Sequence, residues 1–174
     1  MKAIYLTGFM GAGKTTIGKA LGEKLKLPVY DSDERIAEIE KRTITEIFKM
    51  EGENYFREVE SNVLRSLPTE NAIITTGGGI ILKKANRAFM KKNGIVFFLY
   101  CTPEVIYERL KDDDSRPLLA GDKMREIKSR LQSRLPLYRE ADYTIDTTDL
   151  TIEETVGKII EIMNKNDKNR ACCR

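Results

Sequence analysis

Histidine is absent from this 174-residue chain, and cysteine occurs only three times. Cys101 stands alone in an apolar run and Cys172 adjoins Cys173 near the end. That set supports neither a Cys/His zinc site nor a disulfide framework, so a reducing cytoplasm is the natural setting. Proline (five) and glycine (12) are too sparse for a disordered chain. Long apolar runs are missing as well: the longest, 95–101, is far too short to span a bilayer. Met1 and Lys2 lead straight into strand-like residues, which leaves no room for a signal peptide's charged and apolar regions. Nor is there a basic block. The 30 basic and 27 acidic residues are scattered and leave a net charge of +3, a balance that suits an anionic small ligand and argues little for nucleic acid. What is present is 41% hydrophobic and 33% charged, ordinary for one soluble domain of this length.

Short β-branched or aromatic runs at 3–6, 29–30, 72–75, 95–101 and 143–145 alternate with longer segments of helical period. The helical segments are 15–25, 34–42, 44–67, 83–93, 103–111, 124–135 and 151–165. Such alternation implies crossover connections and a mostly parallel sheet covered on both faces. Helix starts agree with it: Thr43 with Glu46 makes a capping box, Pro103 follows Thr102 at a first turn, and Thr151 leads into Glu153 and Glu154. Two segments stand outside the pattern. Residues 111–123 are charged, carry Pro117 and Gly121, and form a connection of the length used by mobile surface loops or lids. The end, 164–174, loses apolar periodicity and reads as a flexible tail.

Gly8-Phe9-Met10-Gly11-Ala12-Gly13-Lys14-Thr15 fits G-x-x-x-x-G-K-[ST] between a strand and a helix, the context that motif requires. Its glycines let backbone N–H groups turn toward phosphate oxygens, and the helix N-terminus adds positive potential. Lys14 reaches the β and γ phosphates and the Thr15 hydroxyl ligates Mg²⁺. A nucleoside triphosphate therefore binds at Gly11, Ala12, Gly13, Lys14, Thr15 and Thr16, and the phosphoryl acceptor is left open. A switch GTPase fits poorly: Asn164-Lys165-Asn166-Asp167 matches N-K-x-D but lies in the polar tail, and no apolar strand ends in D-x-x-G.

Asp31 and Asp33 follow the second strand, where ligands of open α/β sheets collect. Read as an extended segment, they share a face: Asp31 holds Mg²⁺ through a water, and Asp33 takes or orients the acceptor hydroxyl. A solvated helix-capping role competes for Asp33. Three consecutive glycines in 75–80 suggest close approach of a ligand to the main chain. Among the arginines, Arg57 or Arg134 suits a substrate carboxylate held bidentately, and Arg116, in the 111–123 loop, suits the γ phosphate.

With "GFMGAGKTTIG", "DSD", "FREVE", "TGGG", "RPLL" and "RLPLYREAD" in that order and spacing, the chain resembles the shikimate kinase family up to about Met163. The resemblance implies a P-loop three-layer α/β sandwich with a five-stranded parallel sheet in the order 2-3-1-4-5. It implies one kinase domain over 1–163, with a substrate-binding helical region about 33–62 and a lid about 111–124. It also implies transfer from ATP, with one Mg²⁺, to the 3-hydroxyl of shikimate on the route to chorismate and the aromatic amino acids. Carried over by motif, Asp33 is the base and binds the ring hydroxyls, Arg57 and Arg134 hold the carboxylate, and Gly78 and Gly79 offer backbone contacts. Phe48 and Phe56 line the ring pocket, Glu60 orients the arginines, Arg116 contacts phosphate from the lid, and Arg109 lies against adenine. The expected enzyme is a cytoplasmic monomer acting on small molecules, without nucleic acid or membrane. Gluconate kinase is the nearest enzymatic alternative, nucleoside monophosphate kinases are a further one, and a nucleotide-gated binding module is the alternative of another class.

Overall fold

In the computed structural model, which describes residues 1–111 and 122–171, strands and helices alternate as the periodicity predicts. β1 (Ala3–Thr7) leads into α1 (Lys14–Leu25), and β2 (Val29–Asp31) into α2 (Ser32–Glu40) and α3 (Ile44–Ser66). β3 (Ile73–Thr75) leads through a 3₁₀ turn (Ile80–Leu82) into α4 (Lys84–Asn93). β4 (Gly94–Tyr100) precedes α5 (Pro103–Leu110) and α6 (Lys123–Tyr138), and β5 (Tyr143–Asp146) precedes α7 (Ile152–Ala171). The five strands form one sheet in the order β2-β3-β1-β4-β5, and all the ladders are parallel. Parallel neighbours cannot be joined by tight turns, so each step needs a crossover, which the helices supply.

Alternation along β1 divides the core between two faces. Ala3 and Tyr5 pack with Leu64 of α3, Met90 of α4 and Leu131 of α6. Ile4 and Leu6 pack with Ile17 and Leu21 of α1 and with Val156 and Ile159 of α7. The result is three layers. Register then places the chemistry: Leu6 lies opposite Thr75, and Thr75 opposite Asp31. The carboxyl ends of β2, β3 and β1 therefore open on one edge, beside the loop that follows Thr7.

The helices depart from the periodicity at three places. Gly52, with φ 82° and ψ 175°, breaks the 44–67 segment into two helices meeting at a kink, a left-handed backbone that glycine adopts without strain. The kink brings Phe48 and Phe56 together, with ring centroids 4.6 Å apart. In α6 the pattern stops at Leu135, yet the helix continues through Pro136 to Tyr138. Pro136 forfeits one hydrogen bond close to the helix end, and the turn is kept by Tyr138, whose buried ring stacks on Phe98 at 4.7 Å and 4°. The backbone of α7 stays helical to Ala171, beyond Met163, where apolar periodicity fades; a Lys165–Glu161 ion pair one turn apart supports the continuation. Among the described residues, no helix is long and apolar enough to cross a membrane.

Candidate functional site

The phosphate loop joins β1 to α1. Gly11 (φ 78°) and Gly13 (φ 84°) hold left-handed conformations that a side chain would resist. Lys14 begins α1 almost wholly buried, and its Nζ donates to the Phe9 carbonyl at 2.8 Å. Next to it, Thr15 Oγ1 donates to Asp31 Oδ2 at 2.8 Å. Thr75 Oγ1 donates to the same oxygen at 2.8 Å. The other oxygen, Oδ1, accepts from the backbone of Asp33 at 2.9 Å and of Glu34 at 3.3 Å. Asp31 is thus the N-cap of α2 as well as the carboxylate nearest the phosphate loop.

This corrects the expectation that Asp31 and Asp33 share one extended face. Only Asp31 is in a strand; Asp33 sits in the first turn of α2, which begins at Ser32 rather than at residue 34. The cap decides it, because an aspartate at the strand end satisfies two N–H groups that the helix itself cannot. Both carboxylates nonetheless line a single cleft of about 520 Å³. Sequence reasoning missed Thr75 in that arrangement, although its place at a strand end, one residue before a glycine run, was a usable signal.

Across the cleft, Arg57 from α3 pairs with Glu60 at 2.9 Å and with Glu53 at 3.0 Å. Its guanidinium lies over the rings of Phe56 (5.0 Å) and Phe48 (5.9 Å), a stacking that arginine's flat, weakly hydrated cation favours. Glu60 is fully buried. Burial pushes its carboxyl up to about 7, against the pull of Arg57, with Asp33 adding to the rise and Arg134 opposing it. Its Oε1 has no hydrogen-bond partner among the described residues.

The three glycines after Thr76 are explained by neighbouring side chains and backbone of the chain itself. A Cβ on Gly77 would stand 2.6 Å from Asp33 Oδ1 and 3.0 Å from Glu60 Oε1, and one on Gly79 would stand 2.3 Å from both terminal nitrogens of Arg57. One on Gly78 would lie 3.1 Å from the Met10 backbone nitrogen. The turn is therefore wedged between the phosphate loop and the two acids and arginine facing it.

Arg134 of α6 completes the cleft. It is 7% exposed, its Nη1 reaches the Gly78 carbonyl only at 3.5 Å, and its guanidinium lies 5.9 Å from the centre of the Phe9 ring. Among the described residues no carboxylate pairs with it, whereas Arg57 has two. A buried cation without a direct ion-pair partner among the described residues is costly, and its natural complement is an anionic ligand.

A second cavity, of about 280 Å³, lies beside the phosphate loop between α1, α5 and the loop after β5. Ala12, Gly13, Thr16 and Arg109 line it, joined by Thr147, Leu150, Ile152 and Thr155, which the sequence had not singled out. Arg109 also donates to the Gly11 carbonyl at 2.9 Å. Arg116 and the core of the expected lid, residues 112–121, lie outside the described residues; of the lid's flanks, Lys123 already belongs to α6, and its Nζ donates to the Lys111 carbonyl at 2.9 Å.

Comparison with known proteins converges on one family. The profile described as "Shikimate kinase" matches residues 10–164. A shikimate kinase of Bacillus cereus is 50% identical over 164 residues, covering 94% of this chain and 99% of that one. One from Caldicellulosiruptor bescii is 46% identical over 172 residues, covering 98% and 100%. Among solved structures, the shikimate kinase from Acinetobacter baumannii in complex with shikimate superposes with a TM-score of 0.91 at 39% identity, covering 95% of this chain and 94% of that one.

Proposed function

The chain belongs to the shikimate kinase family, and from that premise we propose how its side chains divide the work of phosphoryl transfer. The protein is an ATP-dependent kinase that moves the γ-phosphoryl group of ATP to the 3-hydroxyl of shikimate, giving shikimate 3-phosphate and ADP in aromatic amino-acid biosynthesis. The observation that carries the site assignment is Arg134: a buried guanidinium without a carboxylate partner among the described residues, facing a cleft that also holds Asp33 and Arg57. Shikimate's carboxylate supplies the missing charge. Arg57, already held by Glu60 and Glu53, adds directed N–H groups rather than an uncompensated charge.

In this reading the ring of shikimate lies against Phe48 and Phe56, with Gly78 and Gly79 beside it and Asp33 at its hydroxyls. The 3-hydroxyl oxygen attacks the γ phosphorus, the bond to the bridging oxygen of ADP breaks, and the hydroxyl proton passes to the Asp33 carboxylate. Lys14, at the head of α1, neutralises charge on the β and γ phosphates. Gly11, Ala12, Gly13, Thr15 and Thr16 hold the phosphates, and Arg109 with the second cavity takes the adenosine end.

The hydroxyl of Thr15 and the carboxylate of Asp31 offer only hard oxygen donors, which fits Mg²⁺. Among the described residues there is no group of three Cys, Asp or Glu to cage a metal, so a cation here would lean on phosphate oxygens, as Mg²⁺ does in such kinases. Bound there, Mg²⁺ would supply positive charge against that developing on the transferring group. Thr75 keeps its bond to Asp31 and so holds the carboxylate in place for that task.

The test is ADP release from MgATP with shikimate, gluconate, a set of nucleoside monophosphates, or no acceptor. ADP should appear with shikimate alone; an equal rate without any acceptor would overturn the acceptor site built from Asp33, Arg57 and Arg134. We also take the enzyme to act as a cytoplasmic monomer on small molecules, without nucleic acid or membrane, a reading supported by its evenly spread charge and scarce cysteines. Light scattering should return about the chain's own 19.9 kDa, and twice that mass would refute the monomer.

A further inference from the structure

Tyr138 is a buried polar side chain behind the cleft to which the reaction assigns no role. It lies one helical turn after Arg134 on the same face of α6 and is 1% exposed. Its ring is fixed by stacking on Phe98 of β4, 4.7 Å away and within 4° of parallel. Its hydroxyl donates to the Gly78 carbonyl at 2.5 Å. Arg134 Nη1 reaches for the same carbonyl but stands off at 3.5 Å, beyond the usual N–H···O range. Two donors of α6 thus compete for one acceptor, and the tyrosine holds the short bond.

The acceptor's location gives that competition its consequence. Gly78 sits in the turn wedged against the backbone of Met10 on one side and flanked by Gly79, which faces the Arg57 guanidinium, on the other. Burial drives the Tyr138 phenol upward, although Arg134 and Arg57 oppose the rise. The hydroxyl therefore stays protonated, and able to donate, at neutral pH. Were the hydroxyl missing, the nearest side-chain donor to this half-buried carbonyl would be Arg134 itself, already 3.5 Å away.

We propose that Tyr138 is a positioning residue for substrate capture: by occupying the Gly78 carbonyl, it keeps the Arg134 guanidinium from collapsing onto its own active-site turn and leaves it directed at an incoming carboxylate. This rests on the reading of Arg134 as a carboxylate ligand. Tyr138 touches neither substrate nor phosphate; it acts through Arg134 and the turn. The proximity of the arginine to the carbonyl is then a poised alternative, available whenever the tyrosine bond is removed.

The experiment uses the full-length enzyme with Tyr138→Phe, which keeps the stacked ring and deletes the hydroxyl, Arg134→Ala, and the double variant. KM values for shikimate and for ATP are measured for each, beside calorimetric shikimate binding and thermal stability. Tyr138→Phe is expected to raise the shikimate KM about tenfold, the effect of one lost or misdirected hydrogen bond, with the ATP KM unchanged. In the Arg134→Ala background the same substitution should add nothing to the shikimate KM. If Tyr138→Phe lowers only thermal stability, or raises the shikimate KM equally in both backgrounds, the positioning role is wrong while the carboxylate reading stands. If Arg134→Ala itself leaves shikimate binding unchanged, the carboxylate reading fails and takes this proposal with it.

Discussion

Replacing Gly79 by alanine adds one methyl group where the backbone permits it, since φ −102° and ψ −2° suit any residue. The obstacle is a side chain. The new Cβ would stand 2.3 Å from both terminal nitrogens of Arg57 and 2.4 Å from its central carbon, against about 3.5 Å for comfortable contact. The guanidinium must therefore withdraw by about 1 Å or more. It cannot do so and keep its 2.9 Å bond to Glu60, whose carboxyl is fully buried with Oε1 already unpartnered among the described residues. Losing a hydrogen bond between charged groups costs about 1.5–3 kcal/mol. The same withdrawal takes Arg57 from the cleft, so shikimate binding should weaken by roughly ten- to a hundredfold. The assay is a double-mutant cycle of Gly79→Ala and Arg57→Ala, read by urea denaturation and by calorimetric shikimate binding. Once Arg57 is gone the three closest atoms to the methyl group go with it, and Gly79→Ala should become far milder. If the two substitutions instead add to within about 0.5 kcal/mol, the level expected of independent sites, the steric argument is refuted.

Asp33→Asn should lower kcat by about 10²–10⁴-fold, the usual worth of a positioned base, while shikimate binding changes far less; turnover within a few fold of the parent would remove Asp33 from that role. Arg134→Ala should weaken shikimate binding by about 2–5 kcal/mol, because the carboxylate is left buried and unpaired; binding within twofold, measured by calorimetry, would contradict the assignment. Glu60 makes a pH prediction. Burial raises its carboxyl from the ordinary 4.5 to about 7, so the folded state keeps its proton longer than the unfolded chain does. The stability contributed by that proton is fully present below about 4.5 and is lost as pH rises through about 7, a swing on the order of 3 kcal/mol. Denaturation of the parent should show that falling slope, and Glu60→Gln should flatten it; an unchanged slope would assign it to other groups.

How much of this could be read beforehand depends on how local each feature is. The phosphate loop, the capping box of Thr43 with Glu46 and the matching one of Thr151 with Glu154 involve residues a few positions apart, and all were visible as motifs. Strand and helix placement followed from period and breakers, and the alternation implied a parallel sheet. Gly52 was missed as a kink because a lone glycine inside a helical pattern looks tolerable. The helical pattern ends at Leu135 because nothing nearby announces that Tyr138 anchors the turn beyond Pro136.

The sequence by itself determined which chemical groups exist and where each lies along its own element: the cradle, the acids after β2, the glycine run after β3 and the arginines of α3 and α6. Tertiary structure decided their long-range partners. Asp31 met Thr15 and Thr75, Gly79 was brought against the guanidinium of Arg57, whose pairs with Glu53 and Glu60 are local to α3, and Arg134 was left near the Gly78 carbonyl with no ion-pair partner among the described residues. The reason is range. Period, caps, turn residues and the two ion pairs of Arg57 act over one or two helical turns, whereas the contacts of Asp31 with Thr75, Arg57 with Gly79 and Arg134 with Gly78 join residues brought together only when the sheet, α3 and α6 pack on one another.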